Sequence, residues 1–184
     1  MPDLIESSKE AVARAGLPRV SFVLGGARSG KSRYAESLIG AAGRAALYLA
    51  TAEARDDEMR ARIAAHRARR PAAWAALEEP LEIVNPLLAE ETRPVLVDCL
   101  TLWLANLMSA GRDVGYEIER LLSALPRLKT PVVLVANEVG LGIVPENALA
   151  RDFRDHAGRL NQGVAARAER VVFVAAGLPL ALKG

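Results

Sequence analysis

Gly25-Gly26-Ala27-Arg28-Ser29-Gly30-Lys31-Ser32 fits the pattern G-x-x-x-x-G-K-[ST], and its flanks decide how it is read. Apolar Val20, Phe22, Val23 and Leu24 precede it, and a helix-forming run from Ser32 to Ile39 follows, so the order is strand, loop, helix. The glycines let the backbone curl until successive N–H groups point inward, at the positive end of the helix that starts there. This arrangement predicts a phosphate site. Lys31 would reach the β- and γ-phosphates of a nucleoside triphosphate, and the Ser32 hydroxyl would hold Mg2+.

Working outward, Ala46 to Thr51 reads as a second buried strand, and Arg55 to Arg70 as a helix whose first turn carries Asp56, Asp57 and Glu58, where carboxylates suit the helix dipole. Pro71 ends that helix. Trp74 to Leu77 reads as a short strand, Leu81 to Leu88 as a weak helix around Pro86, and Val95 to Asp98 as an apolar strand ending in a carboxylate. Helices from Leu100 to Met108 and from Tyr116 to Leu125 flank a turn at Gly111 to Gly115. A strand at Val132 to Ala136, a loop to Pro145, a long helix from about Glu146 to Arg170 and a last strand at Val171 to Ala175 complete the chain. Apolar strands without alternation, separated by helices, predict an α/β fold in three layers, a mostly parallel sheet flanked by helices, with the phosphate loop at the carboxyl ends of the strands. Residues 20–184 read as a single nucleotide-binding domain of the phosphate-loop NTPase type. Residues 1–19 read as an N-terminal extension, helical after a capping box at Ser7-Ser8-Lys9-Glu10.

The length of 184 residues suits one domain with a substantial core, and a formal net charge of +2 gives no global field to attract nucleic acid or a membrane surface. No apolar run is long enough to span a bilayer, and no charged start leads into an apolar signal core, so a cytoplasmic protein is expected. The single cysteine, Cys99, excludes an intramolecular disulfide and reads as a small buried hydrophobe.

Arg62, His66, Arg69 and Arg70 share roughly one face of the Arg55 helix. They are either a nucleophile among phosphate-binding cations or a solvated, arginine-rich surface. A neutral imidazole can attack phosphorus and store a phosphoryl or nucleotidyl group as a phosphoramidate, although a place near a helix C-terminus favours the imidazolium. Asp98 has two readings as well, a carboxylate for Mg2+ or an N-cap for the Leu100 helix. Glu78 and Glu79 read as surface acids, and Glu138, directly after the Val132 strand, as a better candidate for the site. His156 reads as an i,i+4 ion-pair partner among Arg151, Arg154, Asp155 and Arg159.

Taken together, several blocks resemble the bifunctional adenosylcobinamide kinase / adenosylcobinamide-phosphate guanylyltransferases of cobalamin biosynthesis. These are the phosphate loop, Tyr48-Leu49-Ala50-Thr51, Asp56-Asp57-Glu58-Met59 with Arg62-Ile63 and His66-Arg67, Val97-Asp98-Cys99-Leu100-Thr101, and Asn137 to Asn147 continued by Phe153-Arg154-Asp155 and Ala157-Gly158-Arg159. The resemblance runs from about Phe22 to Gly184. It implies that His66 is the guanylylated nucleophile, and that GTP is bound by Gly25 to Ser32, by Leu49, Ala50 and Thr51, by His66, Arg67, Ala68 and Arg69, and by Glu78 and Asp98. It implies ATP or GTP as phosphoryl donor, Mg2+ at Ser32 and Asp98, adenosylcobinamide and its phosphate as partners, and a homotrimer. Some members carry two adjacent histidines where this chain has Ala65 before His66. Two other classes fit the residues alone: a simple phosphate-loop kinase without nucleotidyl transfer, and a nucleotide-gated regulatory module.

Overall fold

The computed structural model describes residues 16–42, 45–54, 56–69 and 71–184. Within the helix Asp57–Arg69 it describes the backbone but not the side chains of Glu58, Met59, Arg62, Ala65, His66 and Arg69. The capping box at Ser7 to Glu10 lies outside the described residues.

Among the described residues, seven strands form one sheet: β1 (Val20–Gly25), β2 (Leu47–Ala50), β3 (Ala75–Glu78), β4 (Val95–Asp98), β5 (Val132–Asn137), β6 (Arg170–Ala175) and β7 (Leu178–Lys183). Their order is β3-β2-β4-β5-β1-β6-β7. All neighbours are parallel except β6 and β7. The helices are α1 (Lys31–Ala41), α2 (Asp57–Arg69), α3 (Val84–Ala89), α4 (Leu100–Ser109), α5 (Val114–Ala124) and α6 (Ala148–Arg167).

Successive side chains of a strand point to opposite faces, and here both faces are covered. Phe22 and Leu24 of β1, Leu49 of β2, Val97 of β4 and Leu134 of β5 pack against α3, α4, α5 and α6. Val23, Tyr48, Leu96, Val133 and Val135 face Tyr34, Ala35, Leu38 and Ile39 of α1. That explains why these strands read as unbroken apolar runs, and it gives the expected three layers. Trp103 is fully buried on α4 and satisfies its indole N–H on the Leu81 carbonyl at 2.8 Å. Glu117, also buried, meets Arg112 and Arg120; both guanidinium groups reach on to Glu82, at 2.7 and 2.9 Å, and hold its carboxyl below the usual range. This joins the start of α3 to α5.

Several boundaries differ from the sequence reading, among them the start of α3, at Val84 rather than Leu81. Helix α5 begins at Val114 because the Asp113 side chain accepts the Tyr116 N–H, and α6 begins at Ala148 because Asn147 accepts the Ala150 N–H. Helix α6 stops at Arg167, since the chain must turn back for Arg170 to pair with Ser21. Strand β7 was not expected at all. Its residues Leu178-Pro179-Leu180-Ala181-Leu182-Lys183 lie mostly exposed at the sheet edge, where Pro179 is tolerated. A two-residue turn leads into it, with Ala176 at φ 51° and Gly177 at φ 80° between paired Ala175 and Leu178. Positive φ at both positions marks the mirror-image turn that suits hairpin twist.

Alanine is an unfavourable occupant of the first turn position, because a left-handed conformation costs a non-glycine residue roughly 1–2 kcal/mol. Asparagine tolerates it. Ala176→Asn is therefore expected to raise the thermal midpoint by about 2–4 °C for each kcal/mol relieved. An unchanged or lower midpoint by calorimetry would contradict this account of the turn.

Candidate active site

The phosphate loop is held by close backbone approaches that its glycines permit. A Cβ on Gly25 would lie 2.4 Å from the Val174 carbonyl and 2.5 Å from Ser29 Oγ. Gly30 adopts φ 95° as the N-cap of α1, and a Cβ there would come within 3.2 Å of Gly177 Cα. The loop closes through Ser29 N–H to Gly26 O at 3.3 Å, and the β6–β7 turn props it from behind through Gly177 N–H to Ser29 O at 2.8 Å. No side chain caps the first turn of α1, and no acidic residue sits in it, so the helix end keeps its positive character toward the loop. Lys31 Nζ reaches across the loop and donates to Gly26 O at 3.1 Å.

Beside the loop lies a cavity of about 400 Å³, in the range that accepts one small ligand. Ala27, Lys31 and Ser32 line it from the phosphate loop, Ala50 from β2, Glu78 from β3, Asp98 from β4 and Glu138 just past β5. Five strands thus deliver residues to one place because their carboxyl ends converge there.

Asp98 turns its carboxylate toward the loop. Its Oδ1 accepts from Ser32 Oγ at 3.5 Å, and the Tyr48 hydroxyl donates to Oδ2. The N-cap of α4 is Cys99 instead, with no side-chain cap bond, so the cap reading of Asp98 does not hold. Thr51 is fully buried and acts as a clasp: its hydroxyl donates to Cys99 O and accepts the Cys99 N–H, both at 2.8 Å, while its carbonyl takes the Asn106 side-chain amide at 2.7 Å. Leu49 is likewise buried, in the core, so within 49–51 it is Ala50 that meets the cavity. Cys99 borders the cavity but is nearly inaccessible; burial first, then the charge of Asp98, pushes its thiol up and keeps it protonated.

Glu78, which reads as a surface acid from the residues alone, forms an ion pair with Arg67 at the cavity edge. Helix α2 reaches the cavity through Ile63. His66 stands one residue short of Arg67 and about one helical turn past Ile63; its side chain and that of Arg69 lie outside the described residues. Ala68 is exposed. His156 Nε2 lies 3.5 Å from Asp152 Oδ1 on the same helix, the expected i,i+4 spacing, with Asp152 as the partner. Sequence reasoning missed Tyr48 as a site residue. The available signal was a phenol in an apolar strand, whose hydroxyl needs a polar partner when buried.

The profile of a protein family described as cobinamide kinase / cobinamide phosphate guanyltransferase (CobU) matches residues 21–182. The chain belongs to this family. It is 54% identical over 167 residues to the bifunctional adenosylcobalamin biosynthesis protein CobP of Pseudomonas aeruginosa, covering 89% of this chain and 96% of that one. It is 44% identical over 180 residues to the corresponding CobU protein of Salmonella typhimurium, covering 88% and 98%. In fold it is similar to the flagellar accessory protein FlaH of Methanocaldococcus jannaschii, with TM-score 0.58 and 11% identity over 95% of this chain and 83% of that one. It is also similar to the RadB recombinase, with TM-score 0.54 and 16% identity over 90% and 79%. At such low identity these two matches show the fold alone.

The close approach at Gly25 gives a direct check on the loop. Gly25→Ala is expected to lower stability by about 1–3 kcal/mol, the usual cost of overpacking, and to weaken triphosphate binding more than tenfold, read by calorimetry on the folded variant. Wild-type affinity and midpoint would contradict the packing described.

Proposed function

We propose that this chain catalyses two consecutive transfers in one cavity. In the first, the γ-phosphoryl group of ATP or GTP passes to the hydroxyl of adenosylcobinamide. In the second, His66 attacks the α-phosphorus of GTP, releasing pyrophosphate, and the GMP it holds passes to adenosylcobinamide phosphate to give adenosyl-GDP-cobinamide. The observation that carries the reading is that the phosphate loop and α2 border one cavity, lined by Lys31 and Ser32, by Ile63, and by Glu78, the ion-pair partner of Arg67.

The loop N–H groups and the N-terminus of α1 bind the phosphates, and Lys31 neutralises charge that builds on the transferring group. Ser32 and Asp98 would hold Mg2+. Their oxygens are hard donors 3.5 Å apart, and such a site leaves room for water and phosphate oxygens in the remaining positions. When bound, the ion supplies charge neutralisation on the triphosphate. The Tyr48 hydroxyl fixes the Asp98 carboxylate in its orientation toward Ser32. The Arg67–Glu78 pair anchors the C-terminal end of α2 to β3.

A homotrimer is part of the same reading, supported by the exposed apolar side chains of Leu141, Ile143, Val144 and Leu149. No helix among the described residues is long and apolar enough to cross a membrane, in keeping with a cytoplasmic site of action.

Incubation with GTP labelled at the α-phosphate tests the covalent step. The wild-type protein should acquire label that resists base and is released by acid, as a phosphoramidate does. His66→Ala should acquire none, yet still phosphorylate adenosylcobinamide, because phosphoryl transfer needs the loop, the cation and an acceptor hydroxyl rather than this imidazole. Acid-labile GMP retained on His66→Ala would place the nucleophile elsewhere, and loss of both activities in a folded variant would contradict the division of roles.

A further inference from the structure

The two transfers differ in one chemical demand. The acceptor of the phosphoryl group is an alcohol, which must lose its proton as it bonds to phosphorus, whereas His66 attacks as a neutral imidazole and the phosphate monoester of the second step is already ionised. A general base is therefore useful to the first transfer alone. Three described carboxylates line the cavity: Glu78, Asp98 and Glu138. Glu78 is engaged by Arg67, and Asp98 by the Tyr48 hydroxyl and Ser32.

Glu138 is placed differently. Its own N–H donates to Gly25 O at 3.2 Å, which fixes it beside the first glycine of the phosphate loop, just past the end of the strand between the loop strand and the Asp98 strand. Asn137 before it is pinned by its N–H to Thr101 Oγ1 at 2.6 Å and by the Asn161 amide on its carbonyl at 3.4 Å. Oε1 of Glu138 accepts the Gly140 N–H at 2.5 Å, while Oε2 makes no hydrogen bond among the described residues. A Cβ on Gly140 would stand 2.9 Å from Oε1, so glycine at that position admits the carboxylate in this orientation. One oxygen is thus held by the backbone, and the residue itself lines the cavity.

We propose that Glu138 is the general base of phosphoryl transfer and takes no part in guanylyl transfer to His66. Oε2 accepts the proton of the acceptor hydroxyl as the oxygen–γ-phosphorus bond forms. The bond from the γ-phosphorus to the β,γ-bridging oxygen breaks, the nucleoside diphosphate leaves with that electron pair, and the proton passes from the carboxyl group to water. This rests on the bifunctional reading above, and it predicts that one substitution separates the two reactions.

The experiment measures both reactions on the same preparations of Glu138→Gln and Glu138→Asp, with γ-labelled GTP plus adenosylcobinamide for the first transfer and α-labelled GTP alone for the second. Glutamine keeps the Oε1 acceptor for the Gly140 N–H and removes the basic oxygen. The first transfer should fall about 10²–10⁴-fold in kcat, the usual contribution of a general base, with KM for GTP within about twofold. Label on His66 should form within about twofold of the wild-type rate, and Glu138→Asp should recover part of the lost kcat. A parallel fall in both reactions would make Glu138 a residue that shapes the nucleotide site and overturn the proposal, as would wild-type phosphorylation by Glu138→Gln. Wild-type protein that forms the GMP adduct but phosphorylates no adenosylcobinamide would overturn the bifunctional reading itself, a result distinct from either variant's failure.

Discussion

The close contact between Gly25 and the end of β6 is the constraint on which the site depends. With no side chain at Gly25, the backbone of the phosphate loop passes against the Val174 carbonyl, and Gly177 in the following turn then donates to Ser29 O. The loop is thereby fixed to strands on both sides of β1. Glu138 donates its N–H to Gly25 O from the β5 side. A loop that binds several phosphate oxygens with backbone N–H groups must hold them in position before the ligand arrives, because preorganised dipoles need no reorganisation during transfer. Here the sheet supplies that rigidity.

Strand order supplies the rest of the chemistry. Asp98, Glu78 and Glu138 come from three strands on one side of β1, and all reach the cavity because parallel strands end together. The two transfers ask for different groups around the same triphosphate: a base for an alcohol near the γ-phosphorus, and a nucleophile near the α-phosphorus. Glu138 stands beside the phosphate loop, and α2, whose Ile63 lines the cavity, carries His66 in its sequence. On the proposed reading, the cavity of about 400 Å³ would serve both steps.

Much of this was legible in the sequence, for identifiable reasons. Unbroken apolar runs such as Val132 to Ala136 announced a doubly covered parallel sheet, and the glycine pattern before Lys31 announced its loop. The role of Asp98 was ambiguous, since a carboxylate before a helix suits a cap as well as a cation, and what decided its direction was the Tyr48 phenol, distant in sequence. Strand β7 escaped because an exposed edge strand containing Pro179 carries neither the apolar run nor the ladder demands of a central strand. Glu78 read as a surface acid from the residues alone, and only the family resemblance put it at the nucleotide site, because an exposed edge strand gives no hint that its last residue meets an arginine from α2.

The central claim is that one nucleotide site serves both transfers. It is tested most directly with a GTP analogue in which methylene groups replace both bridging oxygens, so that neither GMP nor the γ-phosphoryl group can leave. Its binding stoichiometry and its inhibition constants against each transfer are to be measured on the wild-type protein. The account predicts one analogue bound per chain and the same inhibition constant for adenosylcobinamide phosphorylation and for GMP labelling. Two bound per chain, or constants that differ beyond error, would contradict it.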